Sequence, residues 1–213
     1  MNGMPSSRRG FVGSVGALAG LIGMPTGGVA VMQQAKGWDM SWLDRLSGKH
    51  KQVFDFNNMD IGLRVVMNWL DAWESVYGLR HPDVNAVVGI GGHAFPVNAS
   101  DAMYAKYPIG ELWSVTDPAT GKPAMRNIFF EGGSTPAEKG AKVHPLMERG
   151  SIFWMCNNAL HNVSGRIAGA VKATEPEVYE TLKGGLNPGL IVVPAHTMLI
   201  GMCQERGCTY ESL

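Results

Sequence analysis

The chain has 213 residues, with 18 Lys and Arg against 18 Asp and Glu, so its formal charge at neutral pH is zero. That balance supplies no long-range pull toward nucleic acid or anionic lipid, and nucleic-acid partners are set aside on that ground. Hydrophobic residues make up 45% of the chain and no polar low-complexity tract occurs, which excludes a disordered chain and fits one globular domain. The three cysteines, Cys156, Cys203 and Cys208, form no CxxC pair, which argues against a zinc site built on paired thiolates. The 13 methionines are scattered as core residues are, not arrayed as copper ligands, and the sequence identifies no cofactor.

In chain order, Ser7-Arg8-Arg9-Gly10-Phe11 resembles the twin-arginine export motif, with Arg8 and Arg9 as its pair. The apolar stretch from Val12 to Met24 is shorter than the roughly 20 residues of a membrane span. Gly28-Val29-Ala30 suits cleavage, with Ala35 as a second position. Residues 1–30 therefore read as a signal peptide and 31–213 as a single domain. The expected location is the periplasm, reached with the twin-arginine machinery as partner and with no membrane span left after cleavage. That compartment is oxidising, so Cys203 and Cys208 can bridge, unless Cys203 is simply core on a helix.

The mature chain alternates strands and helices. His50–Phe56 reads as a strand, and Asp60 as the N-cap of a helix whose Leu63, Val66, Met67, Leu70 and Trp73 form one apolar stripe closed by Gly78. A second strand spans Val84–Ile90, and 99–106 is a short helix. From 107 to 149 the pattern is poor: turn chemistry over 116–123, a short strand over 127–131, and partly helical sequence over 137–149. Ser151–Met155 is a buried strand running into a helix marked by Leu160, Val163, Ile167 and Val171. Thr174-Glu175-Pro176-Glu177 matches a capping box. Leu190–Val193 is a further strand, His196–Arg206 a last helix stopped by Gly207, and Thr209-Tyr210 a short final strand. Continuous apolar strands between helices predict a doubly wound α/β fold, with a mostly parallel sheet and helices on both faces.

Ligands of open parallel sheets bind beyond the carboxyl ends of the strands. His93, Cys156 and His196 each follow a strand, and these three are the candidate catalytic residues. Cys156 stands where a strand hands over to a helix, a place where backbone N–H groups stabilise a thiolate. From position alone it is equally well a core cysteine. Gly89-Ile90-Gly91-Gly92-His93-Ala94 matches GxGxxA, but the signal is weak, because this strand is not the first and Pro96 interrupts the helix. A tight turn at the rim of a pocket is the better reading. Asn157 and Asn158 are read as helix caps that fix the cysteine loop.

Three segments carry a family resemblance. Phe153-Trp154-Met155-Cys156-Asn157-Asn158-Ala159-Leu160, then Leu186-Asn187-Pro188-Gly189-Leu190-Ile191-Val192-Val193-Pro194-Ala195, then Gln204-Glu205-Arg206-Gly207-Cys208-Thr209-Tyr210 together resemble the DsrE/F-like sulfur-relay family. The match is good over 150–210, looser over 48–106, and 107–149 looks like an insertion. The resemblance implies a flavodoxin-like domain, assembly into homotrimers or hexamers, and in some members a persulfide, here on Cys156, exchanged with a sulfur-donor protein. The expected function is a periplasmic thiol-based sulfur carrier or sulfurtransferase, with His93 or His196 assisting proton transfer. The alternative is a non-catalytic small-ligand-binding or assembly protein in which Cys156 is structural. A redox enzyme using Cys203 and Cys208 ranks third.

Overall fold

The structure, a computed structural model, describes residues 37–213. The expected signal peptide, Arg8 and Arg9 included, lies outside the described residues. After a 3-10 turn at Ser41–Arg45 come β1 (His50–Phe56), α1 (Gly62–Tyr77), β2 (Val84–Ile90), α2 (Phe95–Asn98), α3 (Asp101–Lys106) and α4 (Ile109–Leu112). A hairpin of β3 (Thr116–Asp117) and β4 (Lys122–Pro123) precedes α5 (Pro136–Gly140) and α6 (Val143–Glu148). The chain then runs through β5 (Ile152–Cys156), α7 (Asn157–Val171), α8 (Glu175–Gly184), β6 (Ile191–Val193), α9 (His196–Glu205) and β7 (Thr209–Ser212).

Five strands form one parallel sheet in the order β6-β5-β2-β1-β7. The chain steps outward from β1 through β2 and β5 to β6, and α9 then carries it back across the sheet to β7. Parallel crossovers are right-handed, so reversing the direction of travel moves the connecting helix to the opposite face. The period-two alternation of the strands shows the result. Phe54, Phe56, Val88, Ile90, Phe153 and Met155 pack with Leu63, Val66 and Leu70 of α1 and Leu160, Val163 and Ile167 of α7. Val53, Val87, Ile152, Trp154 and Val193 point the other way, onto Leu199 and Cys203 of α9 and onto Trp42, Leu43 and Leu46. The doubly wound, flavodoxin-like α/β class expected from the sequence is the one observed.

Local departures have identifiable causes. Asp60 does not cap α1; the Asn58 side chain accepts the N–H groups of Asp60 at 3.0 Å and Ile61 at 3.4 Å. Gly78 closes the helix in the left-handed conformation at φ 67°, as expected. Residues 127–131 are turns and not a strand, because Asn127 organises them. Its Oδ1 accepts the N–H groups of Phe129 and Phe130, its Nδ2 donates to the carbonyls of Val97 and Ala99, and its own N–H donates to Asp101 Oδ1. Glu177 accepts from the Thr174 N–H and hydroxyl at the start of α8, in keeping with the expected capping box.

Candidate functional site

The carboxyl edge of the sheet is where the candidate residues gather. Cys156 is the last residue of β5, paired in register with Val193 of β6. On the other side Met155 pairs with Ile90, so the chain continues as Gly91 beside Cys156. The backbone of Cys156 (φ −71°, ψ 123°) is still extended, and α7 begins at the next residue. The helix cap is therefore Cys156 itself and not Asn157 or Asn158. Its Sγ accepts the N–H of Ala159 at 3.4 Å. A second backbone donor reaches the same sulfur, the N–H of His196 at 3.3 Å. His196 is the first residue of α9, so the starts of two helices meet on one sulfur atom. Cys156 is 5% exposed and belongs to neither apolar cluster of the two sheet faces.

The His196 imidazole is held elsewhere. An indole nitrogen only donates, so the Trp154 Nε1–H to His196 Nδ1 bond, 3.2 Å long, leaves Nδ1 without a proton. Nε2 then carries the proton and donates to Asp55 Oδ1 at 2.8 Å. Asp55 also accepts from Asn57 Nδ2 at 3.1 Å and, through Oδ2, from the Tyr210 hydroxyl at 2.9 Å. That bond to a carboxylate raises the pKa of Tyr210, so its phenol keeps its proton. Both ring nitrogens of His196 are thus occupied, and its contact with Cys156 is through the peptide. The ring itself makes no hydrogen bond to the Cys156 sulfur, and its two bonds fix the residue whose N–H does. Gly89 makes the arrangement fit, since an added Cβ there would lie 2.4 Å from Trp154 Cζ2 and 2.9 Å from His196 Cε1.

The other expected residues divide. Gly91 borders open space, with nothing within 4 Å of an added Cβ. Gly92 lies against the first turns of α7, its notional Cβ 3.7 Å from Ala159 and Val163, and its carbonyl accepts from Trp113 Nε1. His93 is exposed and makes no hydrogen bond or ion pair, with Cys156 or any other residue, among the described residues. Asn157 accepts the Tyr179 hydroxyl at 2.7 Å, and Asn158 is exposed. Cys203 and Cys208 are buried free thiols on α9 and just before β7.

Three participants were not read from the sequence. Asp55 is a carboxylate between Phe54 and Phe56 near the carboxyl end of β1, and that pattern was the available signal. Trp154 looked like core, and only its hydrogen bond distinguishes it. Asn98 is fully buried, donates to the Trp154 carbonyl at 3.3 Å, and has an Oδ1 with no partner among the described residues. Two clefts, of about 180 Å³ at Leu70, Glu74 and Arg149 and about 230 Å³ at Tyr104, Tyr107 and Met125, are not lined by Cys156. Among the described residues no group of three His, Cys, Asp or Glu side chains is placed to hold a metal ion, and no helix is long and apolar enough to cross a membrane. No family model, curated protein or solved structure matches this chain.

Proposed function

We propose that the protein is an exported thiol-based sulfur carrier of the DsrE/F-like kind, with Cys156 as the atom that holds sulfur. The observation that supports this reading most is the pair of backbone N–H groups, from Ala159 and His196, directed at Cys156 Sγ from the starts of two helices. N–H groups at helix starts stabilise negative charge, and loading and release both develop charge on sulfur. With thiosulfate as donor, the Cys156 thiolate attacks the outer sulfur and a new S–S bond forms. The original S–S bond breaks, and sulfite leaves with its electron pair. Transfer to an acceptor thiolate reverses the pattern. Asp55, His196 and Trp154 are positioning residues that hold the second N–H in place. The periplasmic location, a sulfur-donor protein as partner, and a homotrimer or homohexamer belong to the same proposal.

A second reading has its own observation. Cys156 is 5% exposed and caps α7, which is also the description of a structural cysteine. Intact-mass measurement after incubation with thiosulfate or polysulfide separates the two. The carrier gains sulfur mass that is absent in Cys156→Ser and removed by cyanide. A chain that gains no mass, and whose Cys156 resists alkylation until unfolded, is a binding or assembly protein with a structural cysteine. For export, the doubly substituted Arg8→Lys, Arg9→Lys chain stays in the cytoplasm, and its continued export would overturn that part.

A further inference from the structure

Helix α9 ends in a closure with consequences for its two cysteines. Gly207 (φ +81°) donates its N–H to the Gln204 carbonyl at 2.8 Å, and Cys208 donates to the Cys203 carbonyl at 3.0 Å. This is the Schellman pattern, in which the residue after the glycine folds back onto the third residue from the helix end. Those two positions ordinarily hold an apolar contact, and here both are cysteine. Both side chains belong to the apolar cluster on the α9 face of the sheet. Cys203 is fully buried and Cys208 is 7% exposed. The backbone closure therefore brings these two side chains together. They sit toward the amino edge of the sheet, because Thr209 pairs with Gln52 near the start of β1. Cys156 lies at the opposite edge.

We propose that Cys203 and Cys208 form a dithiol–disulfide couple, separate from Cys156, that is oxidised by disulfides of low molecular weight. The environment divides the work between them. The neighbouring Cys203 thiol and the charges of Lys51 and Arg206 hold the Cys208 thiol below its ordinary value, whereas the neighbouring Cys208 and burial push Cys203 up, and Cys208 is also the more exposed of the two. Cys208 is thus the attacking thiolate. It forms a bond to one sulfur of the incoming disulfide, whose S–S bond breaks, and the first leaving thiolate takes up a proton. Cys203 then loses its proton and attacks the Cys208 sulfur, expelling the second thiolate. Two protein thiols are oxidised and one disulfide is reduced to two thiols. The product clips β7, which among the described residues pairs with β1 alone, to the end of α9.

Trypsin supplies the test, because its cleavage after Arg206 falls between the two cysteines. The reduced full-length chain is exposed to oxidised glutathione, quenched in acid, alkylated with maleimide and digested. The expected product is peptide 184–206 joined to peptide 207–213, separated again by dithiothreitol. In Cys203→Ser the glutathione remains attached to Cys208, while in Cys208→Ser the buried Cys203 gains nothing before unfolding. Maleimide on both cysteines after oxidation, a bridge to the Cys156 peptide, or glutathione persisting on Cys208 of the unaltered chain would each overturn the proposal. The unaltered chain decides the matter even where a variant fails to fold.

Discussion

Replacing Gly89 with alanine is predicted to reverse the sign usually expected for that change. Glycine to alanine at a backbone position that accepts it stabilises a protein by about 0.4–1 kcal/mol, by restricting the unfolded chain. At position 89 the new methyl would stand 2.4 Å from Trp154 Cζ2, 2.6 Å from Cε2 and 2.9 Å from His196 Cε1. Trp154 is fully buried and touches Trp42 at 5.7 Å between ring centroids, so the indole has little room to retreat. Overpacking of that kind costs about 1–3 kcal/mol. Pushing the rings apart also breaks the Trp154–His196 hydrogen bond, worth about 1 kcal/mol, and more if the indole N–H stays buried without a partner. Set against the gain from the restricted unfolded chain, the net loss is about 1–3.5 kcal/mol, or about 3–13 °C in Tm for a domain of this size. Thermal unfolding followed by circular dichroism measures it, and the Trp154 indole proton shift in NMR reports on the broken bond. Gly91→Ala is the internal control, since its methyl meets nothing. A Gly89→Ala protein as stable as its parent would refute the packing account of the Asp55–His196–Trp154 group.

Other substitutions probe separate links. Asn127→Leu removes two side-chain donations and two acceptances that hold residues 97–99 and 129–130 together, and should cost about 3 kcal/mol or more in chemical denaturation. Asp55→Asn removes the negative charge that keeps the Tyr210 phenol protonated, so Tyr210 should titrate at lower pH by NMR; an unmoved titration would count against that hydrogen bond. Arg126, through its hydrogen bonds and charge, lowers Asp117, and N–H groups of Thr135 and Ser134 lower Glu138, from ordinary values of 3.8 and 4.5. Folded-state values below unfolded ones add stability that is present above the ordinary range and disappears as pH falls through the lowered values. Tm should therefore decline on acidification below about pH 4, and Asp117→Asn should make the decline shallower. Leu160→Ala, which opens a cavity where α7 meets the sheet, should cost about 2–5 kcal/mol by the same denaturation measurement.

The frame was legible because its strands and its two long helices announce themselves locally. Val84–Ile90 and Ile152–Cys156 are short, mostly apolar runs bounded by helical patterns, which fits inner strands, and the structure buries them at every position. The stripe of α1 and the glycine ending it are equally local. Residues 107–149 were illegible for the opposite reason. Their helices are four to six residues long, too short for a period to show. Their shape comes from long-range side-chain bonds, such as Asn127 to Val97 and Trp113 to Gly92, that no window of sequence contains. The site was half legible. Topology placed Cys156 and His196 at the same edge, whereas His93, equally placed by topology, turned outward. The histidine's role depended on Asp55 and Trp154, which are 141 and 42 residues away from it in the chain.

Trp42, Leu43 and Leu46 close the α9 face from a segment that precedes the first strand. A protease trimming the chain at position 30 or 35 would leave this wedge intact, while one cutting past Trp42 would strip an aromatic plug from above Trp154 and wet the ground under the Cys156 site. How much of the N-terminus the fold can lose is therefore set from inside, by where packing begins.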